Sequence, residues 1–156
     1  MNTKRAGFTI IEMLSAMVII GILSAIAIPR LRAPIAKADA AKVYGDFVAV
    51  RQAAYDFLDE NGRFPRSSGW GQIPDELEGS VPSFEYKNVE YRWVGRDLRR
   101  RGRNFQGARR LGYFYVRYRD YRELGIELRK RERGFATNRL RDFYSNRNRA
   151  FWVMAE

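Results

Sequence analysis

The sequence predicts an α+β protein: one long N-terminal helix, able to span a membrane over its first half, and a small antiparallel β-sheet head packed against its second half. Three observations carry this. From Phe8 to Ile28 all 21 residues are apolar or small except Glu12, and a helix of that length reaches roughly 31 Å, one bilayer core. From Ile35 on, Ala36, Ala40, Val43, Phe47, Val50, Ala54 and Phe57 with Leu58 recur at steps of three and four, a stripe that a head could cover. After a loop rich in proline and glycine, the pattern changes to strand-like alternation.

In chain order, residues 1–7 (MNTKRAG) form a leader with Lys4, Arg5 and no acid, suited to holding an inserting helix on the cytoplasmic side. Arg30 and Arg32 beyond the span match them in number, so charge alone does not set orientation. Residues 8–28 are the membrane segment, and Glu12 is its anomaly, because a carboxylate inside hydrocarbon is costly without a partner. Glu12 lies one turn beyond Phe8. A cut between Gly7 and Phe8 would create an ammonium group at the helix N-terminus, where unpaired N–H groups already leave positive partial charge. That ammonium is the counter-charge Glu12 lacks, within one subunit or between neighbours. Two other readings stand beside this one: a secretory signal peptide cut after Ala25-Ile26-Ala27, and a plain single-pass anchor with Glu12 near the interface.

Gly7, Phe8, the run Thr9 to Glu12 (TIIE) and Pro29 resemble the N-terminal signature of the type IV pilins and type II secretion pseudopilins. The resemblance is close over residues 4 to about 34 and looser to about 94. It implies a pilin-like fold, cleavage by a prepilin peptidase between Gly7 and Phe8, methylation of Phe8, and assembly into a helical filament guided by Glu12 and Pro29. The partners it implies are the peptidase, other pilin or pseudopilin subunits and an inner-membrane assembly platform. The expected location is a single pass through the inner membrane with the head outside the cytoplasm, and the filament in the periplasm or at the cell surface. No cofactor is implied. The chain has no cysteine, so it lacks the disulfide-closed C-terminal loop of many type IVa pilins.

Residues 29–61 continue the helix amphipathically. Pro29 cannot donate to the carbonyl of Ala25, which predicts a bend or locally opened turn, with Pro34 adding a second. Asp39 with Lys42, and Lys42 with Asp46, are expected to support the outer face. Asn61-Gly62 ends the helix, with Gly62 in a left-handed cap. Asp56, Asp59 and Glu60 read as a solvated helix end rather than a calcium site.

The head is assigned to residues 62–156. Residues 62–83 are a loop with Pro65, Pro74 and Pro82; Asp75-Glu76-Leu77 makes a single turn, and Phe64 and Trp70 are packing residues. Strands are expected at Phe84–Tyr86 and Val89–Val94 around a Lys87-Asn88 turn, with Val89, Tyr91 and Trp93 on one face. Residues 95–110 form an arginine-dense loop, and Leu111–Arg119 returns to strand with Phe114, Val116 and Tyr118 on one side and Tyr113 and Tyr115 on the other. Leu124–Leu128 suits a strand and Arg122–Arg133 a helix, both open on pattern alone. Thr137–Tyr144 is expected as a short helix and Ala150–Met154 as a last strand.

With 156 residues, one modest head remains after the membrane segment. Histidine is absent, which excludes imidazole general bases and imidazole metal sites; no P-loop, zinc spacing or nucleophile-base pair appears, so a non-enzymatic, metal-free protein is expected. The net charge is +11, and of the 24 arginines 18 fall between Arg92 and Arg149. A second function class follows from that half: Arg99, Arg100, Arg101, Arg103, Arg109 and Arg110, followed by the aromatic run Tyr113–Tyr118, could hold DNA or another polyanion. The plainer reading favours those rings as sheet packing and the arginines as a solvated surface.

Overall fold

The computed structural model describes residues 7–97, 110–119, 121–133, 143–145 and 148–155. Helix α1 runs over Ile10–Asn61, and the chain divides into two compact units between Ile35 and Ala36.

Among the described residues of the N-terminal unit the large apolar side chains are exposed. Phe8 is 82% exposed, and Ile10, Ile11, Met17, Ile20 and Leu23 are exposed with it. The most apolar 18-residue window has a mean hydropathy of 2.4, none of it buried, so this helix is long and apolar enough to cross a membrane. Pro29 and Pro34 lie inside α1, so the expected local opening does not interrupt the helix. The carbonyls of Ala25 and Arg30 still lose their usual N–H donors there.

The second unit is a two-layer head. Ala36, Ala40, Val43, Phe47, Val50, Ala54 and Leu58 of α1 are buried along one stripe. Against them lies a five-stranded antiparallel sheet: β1 (Glu85–Tyr86), β2 (Val89–Asp97), β3 (Arg110–Tyr118), β4 (Phe143–Ser145) and β5 (Arg149–Ala155), in the order β1-β2-β3-β5-β4. Alternation sends Val89, Tyr91, Trp93, Phe114, Val116, Tyr118, Ala150, Trp152 and Met154 into the core. Phe47 stacks on Trp152 at 4.6 Å between ring centres, and Phe114 sits 5.1 Å from Tyr91 and 5.9 Å from Phe47. Each fully buried ring contributes about 1.5–3 kcal/mol, against about 0–1 for an exposed ion pair, so the core and not the arginine-rich surface holds the head together.

Helix α1 ends as expected. Gly62 adopts φ 65°, its N–H reaches the Leu58 carbonyl at 2.7 Å, and Asn61 Nδ2 donates to the Phe57 carbonyl. Phe64 is buried against Tyr55 and Trp93, and the neighbouring Pro65 carbonyl accepts the Trp93 indole N–H at 3.0 Å, fixing the loop to β2. Asp75–Leu77 forms the expected single turn, and Lys87 turns β1 into β2 at φ 53°.

Residues left open between strand and helix are helix α2, Arg122–Arg133. Leu124 and Leu128, one turn apart, are buried, and Gly125 lets the Tyr118 hydroxyl approach to 2.6 Å from where a Cβ would stand. A strand would have put Ile126 on their face, yet Ile126 is exposed. The short helix expected over 137–144 is corrected at its end: Phe143–Ser145 pair with β5, because backbone beside the edge of β5 that β3 leaves open gains ladder hydrogen bonds there. Residues 137–142 lie outside the described residues.

Candidate functional site: the N-terminal motif and the ties of the head

Gly7, Phe8 and Thr9 precede the helix in irregular, exposed backbone. Thr9 is the N-cap. Its backbone N–H donates to Glu12 Oε2 at 2.8 Å, its hydroxyl donates to the same oxygen at 2.7 Å, and the Glu12 N–H approaches the Thr9 Oγ1 at 3.3 Å. This reciprocal arrangement is a capping box, in which a threonine and a glutamate three residues apart satisfy donors that a helix start leaves free. Sequence reasoning gave Glu12 only a partner made by cleavage. The Thr-x-x-Glu spacing was the signal for a second one already present. Glu12 Oε1 accepts no bond among the described residues.

Two carboxylates of α1 expected on the outer face are buried instead. Asp39 is not paired with Lys42: its Oδ1 accepts Tyr86 O–H at 2.8 Å and Lys87 Nζ at 2.7 Å, and its Oδ2 accepts Tyr121 O–H at 2.7 Å. Asp46 does accept Lys42, at 2.6 Å, but it is itself buried, and its Oδ2 also takes the Tyr91 hydroxyl at 2.9 Å. The stripe explains this correction. Asp39 and Asp46 fall beside Ala40, Val43 and Phe47, under the sheet, where long tyrosines reach down and supply the donors a buried carboxylate requires. Burial pushes the Asp39 carboxyl up, but the hydrogen bonds from Lys87, Tyr121 and Tyr86 and the Lys87 charge together hold it below its ordinary value. Lys87 is raised by its bonds to Asp39 and Tyr86. Burial first, then the Asp46 charge and hydrogen bond, push the Tyr91 phenol up.

Of the arginines proposed for a polyanion, Arg99, Arg100, Arg101, Arg103 and Arg109 lie outside the described residues. Arg110 opens β3 opposite Asp97 and lines an open cleft with Arg63, Arg66 and Arg96. The aromatic run is divided by the sheet, with Phe114, Val116 and Tyr118 in the core. Tyr113, Tyr115 and Phe151 are half-buried on the outer face, 5.0–6.3 Å apart between ring centres. Trp70 caps that face, edge-on to Tyr115 and with the Arg117 guanidinium 4.4 Å above its ring. Arg117 is held in turn by Glu90. These rings engage one another and their neighbouring arginines.

Fold and motif together define the class: a pilin-like α+β chain with a membrane-capable N-terminal helix and a small antiparallel sheet. The family model for the prokaryotic N-terminal methylation motif matches residues 2–28. The chain is 36% identical over 62 residues to type II secretion system core protein G of Aeromonas hydrophila, covering 40% of this chain and 43% of that one. It is 30% identical over 92 residues to the type IV major pilin protein PilE1 of Neisseria gonorrhoeae, covering 56% of each. The core protein G of Escherichia coli is 34% identical over 65 residues, 42% of this chain and 45% of that one. The match spans about half the length of these curated relatives. No solved structure matches. Motif and relatives support the type IV pilin and pseudopilin family, a family of structural subunits and not an enzyme class, and with the apolar helix they indicate a membrane-anchored chain.

Proposed function

We propose that this chain is a structural subunit of a type IV pilus or type II secretion pseudopilus, cut by a prepilin peptidase between Gly7 and Phe8, methylated on Phe8 and polymerised through the first half of α1. The head faces away from the cytoplasm, and the partners are other subunits and an inner-membrane assembly platform. The observation that carries this reading is the first turn of α1. The Gly7–Phe8 bond lies in exposed, non-helical backbone immediately before the cap, where a peptidase can reach it. Glu12 spends one oxygen on its own helix start and keeps Oε1 for a second cation. In a bundle of apolar helices that cation is the Phe8 ammonium of a neighbouring subunit, and the pair fixes axial register because a misplaced carboxylate would stay unpaired in hydrocarbon. Pro29 removes a backbone donor near the end of the same segment, leaving α1 a site of local adjustment during packing.

The experiment is assembly by a Glu12→Gln variant in cells lacking the parent protein. Glutamine keeps the shape and an acceptor for Thr9 but carries no charge. The expected result is normal membrane insertion with filament formation lost; fibres at parental yield would overturn the electrostatic part of the proposal.

A further inference from the structure

Helix α2 carries a surface that neither the core nor the assembly motif uses. Opposite its buried Leu124 and Leu128 it exposes Ile126, with Arg122 one turn before and Arg129 and Lys130 one turn after. An exposed isoleucine ringed by long basic side chains suits a helix lying at a membrane interface, where aliphatic stems bury and charged ends meet phosphates. Two carboxylates share the helix, Glu123 and Glu127, and Glu127 is held by Lys130 at 2.7 Å. Against them stand Arg122, Arg129, Lys130 and Arg131, so the exposed surface keeps a positive balance.

Position is the second observation. Within the head, Glu127, Lys130 and Arg131 share an open cleft of about 230 Å³ with Lys37 and Ala40 of α1. Lys37 follows the last residue of the apolar segment, Ile28, by only nine residues, with Arg30 and Arg32 between, so chain connectivity alone limits how far this cleft can lie from the end of that segment. Head groups extend about 5–8 Å beyond the hydrocarbon. Their attraction for a basic group reaches about 8 Å further at physiological salt.

We propose that α2 docks, through Arg122, Ile126, Arg129 and Lys130, on anionic phospholipid head groups of the bilayer that holds the apolar half of α1. The inference rests on reading residues 8–28 as a membrane span. Docking would hold the unassembled head against the membrane, and entry into a filament would have to release it.

The test uses the full chain in nanodiscs of phosphatidylcholine alone or with one part in three of phosphatidylglycerol. The chain has no cysteine, so Glu123→Cys takes a single nitroxide on α2 and, in a separate sample, Ile19→Cys takes one in mid-span. Nickel chelated to lipid head groups should relax the α2 label about fivefold more in the anionic discs, the weight of one basic group near such a surface. Arg129→Glu with Lys130→Glu should abolish the difference, and so should high salt without any substitution. Equal relaxation in both lipids overturns the proposal, as does a response that survives charge reversal and salt. Single-stranded DNA bound in phosphatidylcholine discs, with no response to anionic lipid, overturns it in favour of a soluble polyanion. If the Ile19 label lies outside the hydrocarbon, the membrane reading itself fails and the inference with it; if it lies inside and the α2 label ignores lipid charge, only the inference fails.

Discussion

The Tyr121 hydroxyl donates to Asp39 Oδ2 at 2.7 Å, a bond that joins the approach to α2 to a point on α1 82 residues earlier. Tyr86 and Lys87 hold the other oxygen of the same carboxylate, so one buried acid ties the β1–β2 turn and the α2 approach to the helix. Asp39→Ala leaves two hydroxyls without their acceptor and returns the half-exposed Lys87 to water. The expected loss is about 2–3 kcal/mol of head stability, measured by urea unfolding of the full chain in detergent. Tyr121→Phe should cost about 1 kcal/mol in the same assay.

The same tie sets a pH response. Asp39 is held below its ordinary value in the folded head, so at low pH the unfolded chain takes up its proton first. Its contribution is fully present above the unfolded value, about 3.9, and is lost as pH falls through the folded one. At the other end, burial and the bond to Asp39 push the Tyr121 phenol up to about 12. Above pH 10 the unfolded phenol ionises first, so stability should fall between about pH 10 and 12. Thermal melts against pH should show both arms. Asp39→Asn should flatten the acid arm and Tyr121→Phe the alkaline one.

Gly112 of β3 faces Trp93 of β2. A Cβ at Gly112 would stand 2.6 Å from the indole Cη2, and Trp93 is fully buried and anchored to Pro65 through its N–H. The ring has nowhere to move, so Gly112→Ala should destabilise the head by about 1–3 kcal/mol, read as a lowered Tm. Gly45 on α1 meets nothing within 4 Å, and Gly45→Ala should leave Tm unchanged or raise it.

The capping box predicts a local effect. Thr9→Val keeps size and apolar character but removes the hydroxyl that both donates to Glu12 Oε2 and accepts the Glu12 N–H. Amide exchange in detergent micelles should quicken at Glu12 and at the start of α1, leaving Val43 and Val50 unchanged. Uniform exchange rates in the two proteins would remove the cap from the account.

Much of this fold was legible in the chain because its periods are clean. The stripe from Ala36 to Leu58 and the alternation through Tyr91, Trp93, Phe114 and Val116 each name their own buried face. Asp39 and Asp46 were misjudged because helical spacing rewards a nearby lysine, whereas their partners Tyr86, Lys87, Tyr121 and Tyr91 arrive from 45 to 82 residues away. Trp70 is the packing residue expected, but which surface it covers was not legible, because its ring lies over a sheet face that forms only after β2, β3 and β5 pair. Helix α2 was ambiguous because twelve mostly charged residues offer only Leu124, Ile126 and Leu128 to set a period. At the N-terminal motif the Gly7-Phe8 junction and Glu12 were plain in sequence, while the role of Thr9 required the helix start to be located to the residue.

Under the proposed function this chain becomes an assembly subunit by losing its leader at one bond. Intact-mass and N-terminal fragment analysis of the protein from native membranes tests it most directly. The expected mature chain begins at Phe8 and carries one added methyl group on its amine. A mature chain that begins at Met1, or at a residue after Ala27, would contradict it.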